Sequence, residues 1–240
     1  MAHRSVRAWG LLAAWIAAAG CSGAGPSPEA PGEPGACWEA SPGVYTLLAE
    51  NASFRVIEAT WSAGQKDQWH EHPPLAAYFL TDVNGKLHYP DGSTKDVRGK
   101  AGEVKLAAEP ETHYFENLAD AECRVVLFER VHAGMVPTPG TGDRPPCQDA
   151  SPEVYQVLAE NDALRVIVAT WEAGKQDEWH SHPPLAAYAL TPVNARLRYQ
   201  MADDKPVTGD AGTVTLLAAP ESHAFQNVGA ECRMVIVELR

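Results

Sequence analysis

The residues best suited to chemistry are histidines, and their spacing occurs twice in this 240-residue chain. Trp69-His70-Glu71-His72-Pro73-Pro74 returns as Trp179-His180-Ser181-His182-Pro183-Pro184, and a third histidine, His113 or His223, follows 43 residues after the first. Residues i and i+2 of a strand point to one face, so His70 and His72 project together, as do His180 and His182. If the chain brings the third ring beside them, three neutral imidazoles converge. That donor set suits a divalent transition metal ion, and nitrogen ligands alone do not choose among Fe, Mn, Ni, Cu and Zn. The comparison between copies sharpens the selection. His88 has Arg198 as its counterpart and His132 falls between the copies, so the second copy holds only His180, His182 and His223.

The element that must position these rings is a small module written twice. Ser41-Pro42-Gly43-Val44-Tyr45 returns as Ser151-Pro152-Glu153-Val154-Tyr155, and His113-x-x-x-Asn117 as His223-x-x-x-Asn227. A repeat of this length is a whole domain, longer than the ~20–50-residue units of solenoids. Its signals are short β-branched and aromatic runs cut by turn residues: 44–48, 54–61, 67–72, 76–81, 86–89, 103–107, 113–117 and 124–130 in the first copy. Asn84-Gly85 reads as a hairpin turn, and Pro90-Asp91-Gly92-Ser93 as another. Short strands at close spacing predict an all-β fold of sandwich or barrel type. The expected boundaries are a signal peptide at 1–20, a tether at 21–36, a first domain at 37–130, a linker at 131–146 and a second domain at 147–240.

The net charge of −12 and the lack of a basic run past the N-terminus argue against nucleic acid as a partner, because phosphate binding needs a basic surface. Arg4 and Arg7, the apolar run from Trp9 to Ala19 and Ala18-Ala19-Gly20 before Cys21 have the layout of a secretory signal. The Ala-Ala-Gly-Cys end resembles a bacterial lipobox. That resemblance implies lipidation at Cys21, with Ser22 implying an outer-membrane lipoprotein of the bacterial cell envelope, held to the membrane through the lipid alone. The Gly-, Pro- and Ala-rich stretch 22–36 reads as the tether. Of the five cysteines, the four others form repeat-related pairs. In an oxidising compartment they favour the disulfides Cys37–Cys123 and Cys147–Cys232, with free buried thiols as the alternative.

The motifs resemble those of the cupins. That family's first motif, G-x5-H-x-H-x3,4-E-x6-G, is matched by Gly64, His70 and His72 and by Gly174, His180 and His182. Its second, G-x5-P-x-G-x2-H-x3-N, is matched at its ends by Gly102, His113 and Asn117 and by Gly212, His223 and Asn227. The resemblance implies two tandem double-stranded β-helix (jelly-roll) barrels, a bicupin. The chain departs from the pattern where the motif glutamate should stand: positions 76, 77, 186 and 187 are all alanine. Three neutral ligands leave a metal ion its full charge, which favours an anionic or chelating oxygen ligand. Glu111 and Glu221 are candidates for a fourth ligand or for an acceptor behind an imidazole N–H, or are solvated turn residues. Tyr78, Phe115, Tyr188 and Phe225 are candidate cavity-lining residues. Two functions stand open on this reading. One is a metal-dependent enzyme acting on a small molecule, dioxygenase-like by the family's commonest chemistry. The other is a non-catalytic periplasmic module that holds a metal or small ligand. Catalytic groups, substrate and oligomeric state are not specified.

Overall fold

A computed structural model of the chain describes residues 34–131 and 144–240. The candidate signal, Cys21 and His132 lie outside them. Each copy begins with one turn of helix, α1 (Cys37–Ala40) or α2 (Cys147–Ala150), and continues as nine strands. In the first copy these are β1 (Tyr45–Glu50), β2 (Phe54–Trp61), β3 (His70–His72), β4 (Leu75–Phe79), β5 (Val83–His88), β6 (Thr94–Gly99), β7 (Val104–Ala107), β8 (Glu111–Asn117) and β9 (Cys123–Arg130). The second copy repeats them as β10 (Tyr155–Glu160), β11 (Leu164–Trp171), β12 (His180–His182), β13 (Leu185–Ala189), β14 (Val193–Arg198), β15 (Lys205–Gly209), β16 (Val214–Leu217), β17 (Glu221–Asn227) and β18 (Cys232–Leu239). Among the described residues no helix is long and apolar enough to cross a membrane.

In each copy a five-stranded sheet, ordered β1-β2-β9-β4-β7 or β10-β11-β18-β13-β16, faces a four-stranded one, ordered β3-β8-β5-β6 or β12-β17-β14-β15. Every strand pair within these sheets is antiparallel. The expected all-β architecture is the one found. Ile57, Ala59, Trp61, Phe79, Val125 and Leu127 fill the interior of the first barrel. The alternate positions of the same strands, Phe54, Val56, Val126 and Phe128, pack instead against Leu164, Val166, Val235 and Val237 of the second barrel. The five-stranded sheets are thus covered on both faces. That accounts for the unbroken apolar runs Val125–Phe128 and Met234–Val237, which a sheet with one wet face would interrupt. At about 1.5–3 kcal/mol for each large apolar side chain removed from water, this shared layer couples the two barrels.

Three sequence expectations are corrected. Asn84-Gly85 is not a turn but lies inside β5. Gly85 is needed there for room, because a Cβ would come within 2.1 Å of the Phe115 ring. The chain reverses at Pro90–Ser93, where Gly92 takes φ +83°, and leads into β6. That strand carries no apolar alternation, with Thr94, Lys95, Asp96 and Arg98 all exposed, and so escaped the reading.

The third correction is chemical. Cys37, Cys123, Cys147 and Cys232 are all free and buried. Cys37 lies with His72 and Glu129, its sulfur within 4.8 Å of their ligand atoms. Cys123 opens β9, six residues from Glu129 on the same strand, a separation of roughly 20 Å at the usual strand rise. A disulfide needs Cα atoms about 4.4–6.8 Å apart, so the pairing cannot form. Cys147 and Cys232 are kept apart in the same way by the length of β18.

Candidate metal centres

β3 is only three residues long, and its register on β8 sets the site. His70 lies directly opposite His113 and His72 opposite Glu111, with His180 opposite His223 and His182 opposite Glu221 in the second barrel. Ring centroids stand 4.7, 4.8 and 5.3 Å apart in the first trio and 4.7, 4.9 and 5.3 Å apart in the second. All six rings are buried, and within each trio the ligand atoms lie within 4.8 Å of one another.

The outer nitrogens are anchored. His70 Nδ1 donates to the Gln68 carbonyl at 2.7 Å, and His180 Nδ1 to that of Glu178 at 2.7 Å. His72 Nδ1 donates to Glu129 Oε1 at 2.6 Å, and His182 Nδ1 to Glu238 Oε1 at 2.6 Å. His223 Nδ1 donates to Glu221 Oε1 at 3.1 Å. His113 Nδ1 is buried without a hydrogen bond among the described residues, and the Glu111 carboxylate stands 3.8 Å away. Anchoring Nδ1–H fixes the tautomer and leaves the Nε2 lone pair facing inward. In the second barrel the Nε2 atoms of His180 and His182 lie 3.0 Å apart. With both rings neutral, two lone pairs confront each other at that distance, and a shared cation removes the repulsion. Ligand–metal distances of about 2.0–2.1 Å for histidine nitrogen are compatible with such a separation. The donor set therefore fits a divalent transition metal. Glu221 stands on the outer nitrogen of the third ring as its acceptor, whereas Glu111, at 3.8 Å, makes no such bond.

Four groups behind the rings were not singled out in the sequence. Asp67 accepts from Tyr45 Oη at 2.6 Å, Trp61 Nε1 at 2.9 Å and the Phe115 amide at 2.7 Å. Asp177 does the same for Tyr155, Trp171 and Phe225. The Tyr45 hydroxyl, with its proton given to Asp67, lies 3.2 Å from His70 Nε2. Glu129 takes a second bond from Arg55 at 2.8 Å. The available signal was a lone glutamate near the end of an otherwise apolar strand, at Glu129 and again at Glu238, on a position that alternation turns inward. Asn117 and Asn227 each donate to three backbone carbonyls and hold strand ends, away from the rings.

A cavity of about 510 Å³ opens over the first trio, lined by His72, His113, Phe115 and Glu111 and rimmed by Lys95, Arg98 and Lys105. Phe225 packs in the second barrel's interior against Trp171. Tyr78 and Tyr188 do not line the cavity. On β4 it is Ala77 and Phe79 that face it, so alternation sends Tyr78 to the opposite face, into the layer between the barrels with Tyr188.

Burial lowers the pKa of His72 and His113 well below the ordinary value, lowers that of His223, and takes His180 down to about 3. The hydrogen bond from His223 lowers Glu221 to about 2. A ring whose folded pKa lies below its unfolded value contributes stability above about pH 6.5 that is lost as pH falls toward the folded value, at about 1.4 kcal/mol per pH unit for each ring. Glu221 acts in the same sense at lower pH. Burial raises Asp67, Glu129 and Asp177, and these oppose the trend. Between pH 7 and pH 5 four rings act against three carboxyls. Metal-free protein is therefore expected to lose stability steadily from pH 7 to pH 5. Urea midpoints that rise or stay constant over that interval would contradict the assignment of neutral rings.

No protein-family model matches the chain, and no curated protein matches it in sequence. Solved structures do. AerE from Microcystis aeruginosa superposes with a TM-score of 0.56 at 10% identity, covering 82% of this chain and 97% of that one. A point variant of oxalate decarboxylase from Bacillus subtilis gives 0.59 at 12% identity, covering 81% and 71%. A further oxalate decarboxylase structure from the same organism, described for its Mn(II) centres, gives 0.55 at 11%, covering 78% and 68%. The chain has the bicupin fold. At these identities the likeness concerns architecture alone. Within this fold both barrels keep the three-histidine trio and both lack the glutamate of the first motif.

Proposed function

We propose that this bicupin is an exported, lipid-anchored protein of the bacterial envelope that holds one divalent transition metal ion in each barrel. His70, His72 and His113 would be the ligands in the first and His180, His182 and His223 in the second. The first barrel would act on a small anionic or chelating molecule in a dioxygenase-like reaction. The observation that carries the metal reading is the pair of inward Nε2 lone pairs 3.0 Å apart, each fixed from behind by an acceptor. The Mn(II) centres named for oxalate decarboxylase, which shares the fold, support a divalent ion. Export and anchoring rest on the sequence of residues 1–21.

A bound ion with open positions supplies Lewis acidity toward an oxygen ligand. The rest falls to the protein. Lys95, Arg98 and Lys105 at the rim of the cavity attract an anion. The apolar walls given by Phe115, Leu127 and Val125 exclude water around it. Glu129, backed by Arg55, holds the proton of His72 on Nδ1 and so keeps Nε2 free. The rim differs between the barrels. By register, Arg98 and Lys105 are matched by Thr208 and Thr215, with only Lys95 kept as Lys205, so the first barrel has the stronger claim on an anion.

The test is elemental analysis of protein stripped with a chelator and reloaded. About two equivalents per chain are expected, and none under any loading condition would overturn the proposal. Oxygen consumption with small carboxylate substrates then separates an enzyme from a binding module.

A further inference from the structure

The two barrels meet around a second cavity, of about 460 Å³, whose lining is nearly symmetric. Tyr78 and Arg124 come from the first copy, and Tyr188 and Arg233 from the corresponding positions of the second. The correspondence is fixed by register: Arg124 lies opposite Thr60 and Arg233 opposite Thr170. Their amides are held alike, Arg124 N by Thr81 Oγ1 and Arg233 N by Thr191 Oγ1, each at 2.9 Å.

The symmetry breaks at one charged residue. Glu58, opposite Val126 on β9, is matched by Val168, opposite Val235 on β18. On the Glu58 side a carboxylate is clasped between two groups. It pairs with the Arg124 guanidinium and accepts from Tyr188 Oη at 2.9 Å. On the Val168 side Arg233 and Tyr78 line the same cavity but no carboxylate stands between them. Among the described residues the Arg233 guanidinium has no ion pair and the Tyr78 hydroxyl has no hydrogen-bond partner. Burial raises the Tyr78 phenol, and the neighbouring Arg233 charge opposes that rise, which places the two groups within electrostatic reach.

We infer that the half of the inter-barrel cavity bounded by Arg233 and Tyr78 is a binding site for a small carboxylate, which takes there the place that Glu58 fills in the other half. The protein's own side chain shows the fit: a guanidinium and a phenol hydroxyl converge on one carboxylate, a charge-assisted arrangement stronger than neutral hydrogen bonding. The site is separate from the histidine trios, so it neither needs a metal nor depends on the function proposed for them.

The experiment is calorimetric titration of the chelator-treated full chain with succinate and with acetate, at constant ionic strength set by sodium chloride. One saturable site per chain is expected. Arg233→Gln, a change at an exposed residue, is expected to weaken binding tenfold or more. Val168→Glu places an internal carboxylate beside the gap, so it is expected to abolish binding, with circular dichroism to show that the variant stays folded. Absence of saturation with either probe would overturn the inference. So would an affinity unchanged in Arg233→Gln, or binding seen only after metal is restored.

Discussion

Replacing His70 and His180 together with alanine is expected to remove all bound metal, from about two equivalents per chain to none, while the barrels stay folded. Each ring is one of three neutral donors, and two remaining imidazoles do not complete a site that already lacks a carboxylate. Each single change is expected to leave about one equivalent, because the trios sit in separate barrels and share no residue. The structural cost is limited. Each substitution strands a backbone carbonyl, of Gln68 or of Glu178, at about 1–3 kcal/mol for an orphaned buried polar group, and His180→Ala also removes one of the two lone pairs that oppose each other in the metal-free second barrel. His88 is the control. It stacks on Tyr114 and pairs with Glu116, away from the trio, so His88→Ala should leave the metal content unchanged. Elemental analysis beside circular dichroism reads both quantities. A folded double variant that still carried two equivalents would show that other groups hold the metal, with the Cys37–His72–Glu129 and Cys147–His182–Glu238 clusters the next candidates.

The trios were legible because strand periodicity and a repeat act together: i and i+2 share a face, and the copies agree on three histidines only. The groups that hold the rings were hidden for a physical reason. Asp67 and Glu129 act across long separations, Asp67 on the amide of Phe115 and Glu129 on the ring of His72. No local spacing announces such a contact. Their one local mark is a charge on an inward-facing position. The disulfide expectation failed because a repeat shows which cysteines correspond but not where along β9 each one lies. Tyr78 lies in the layer between the barrels because it alternates on β4 with Ala77 and Phe79, which face the cavity, and the sequence does not show which of the two faces is the inner one. The shared layer between the barrels was written in Val125–Phe128 and Met234–Val237, whose unbroken apolar character fits two buried faces and not one.

Asp67→Ala is expected to destabilise the protein by roughly 3 kcal/mol or more, at about 1–3 kcal/mol for each buried donor left without its acceptor. Asp67 is 1% exposed and gathers three donors from three separate segments: Tyr45 on β1, Trp61 on β2 and the Phe115 amide on β8. Alanine leaves Trp61 Nε1 and the Phe115 amide buried and unpaired and leaves Tyr45 Oη only the longer contact to His70 Nε2, and that loss outweighs the desolvation that raises the Asp67 pKa. A domain holds about 5–15 kcal/mol in total, so the fraction lost is large. Asp67→Asn should cost less, because one oxygen still accepts while the amide N–H meets another donor. Tyr45→Phe removes a single bond and should cost about 0.5–1.5 kcal/mol. Combined with Asp67→Ala it should cost far less than the sum of the two, since both act in one network. Urea unfolding measures each term. A loss below about 1 kcal/mol for Asp67→Ala would mean that water reaches the three donors and that the carboxylate does not brace the site. A loss of the expected size has a functional corollary. The Tyr45 hydroxyl that Asp67 holds lies 3.2 Å from His70 Nε2, so metal affinity in the first barrel should fall while the second barrel, braced by Asp177, keeps its own.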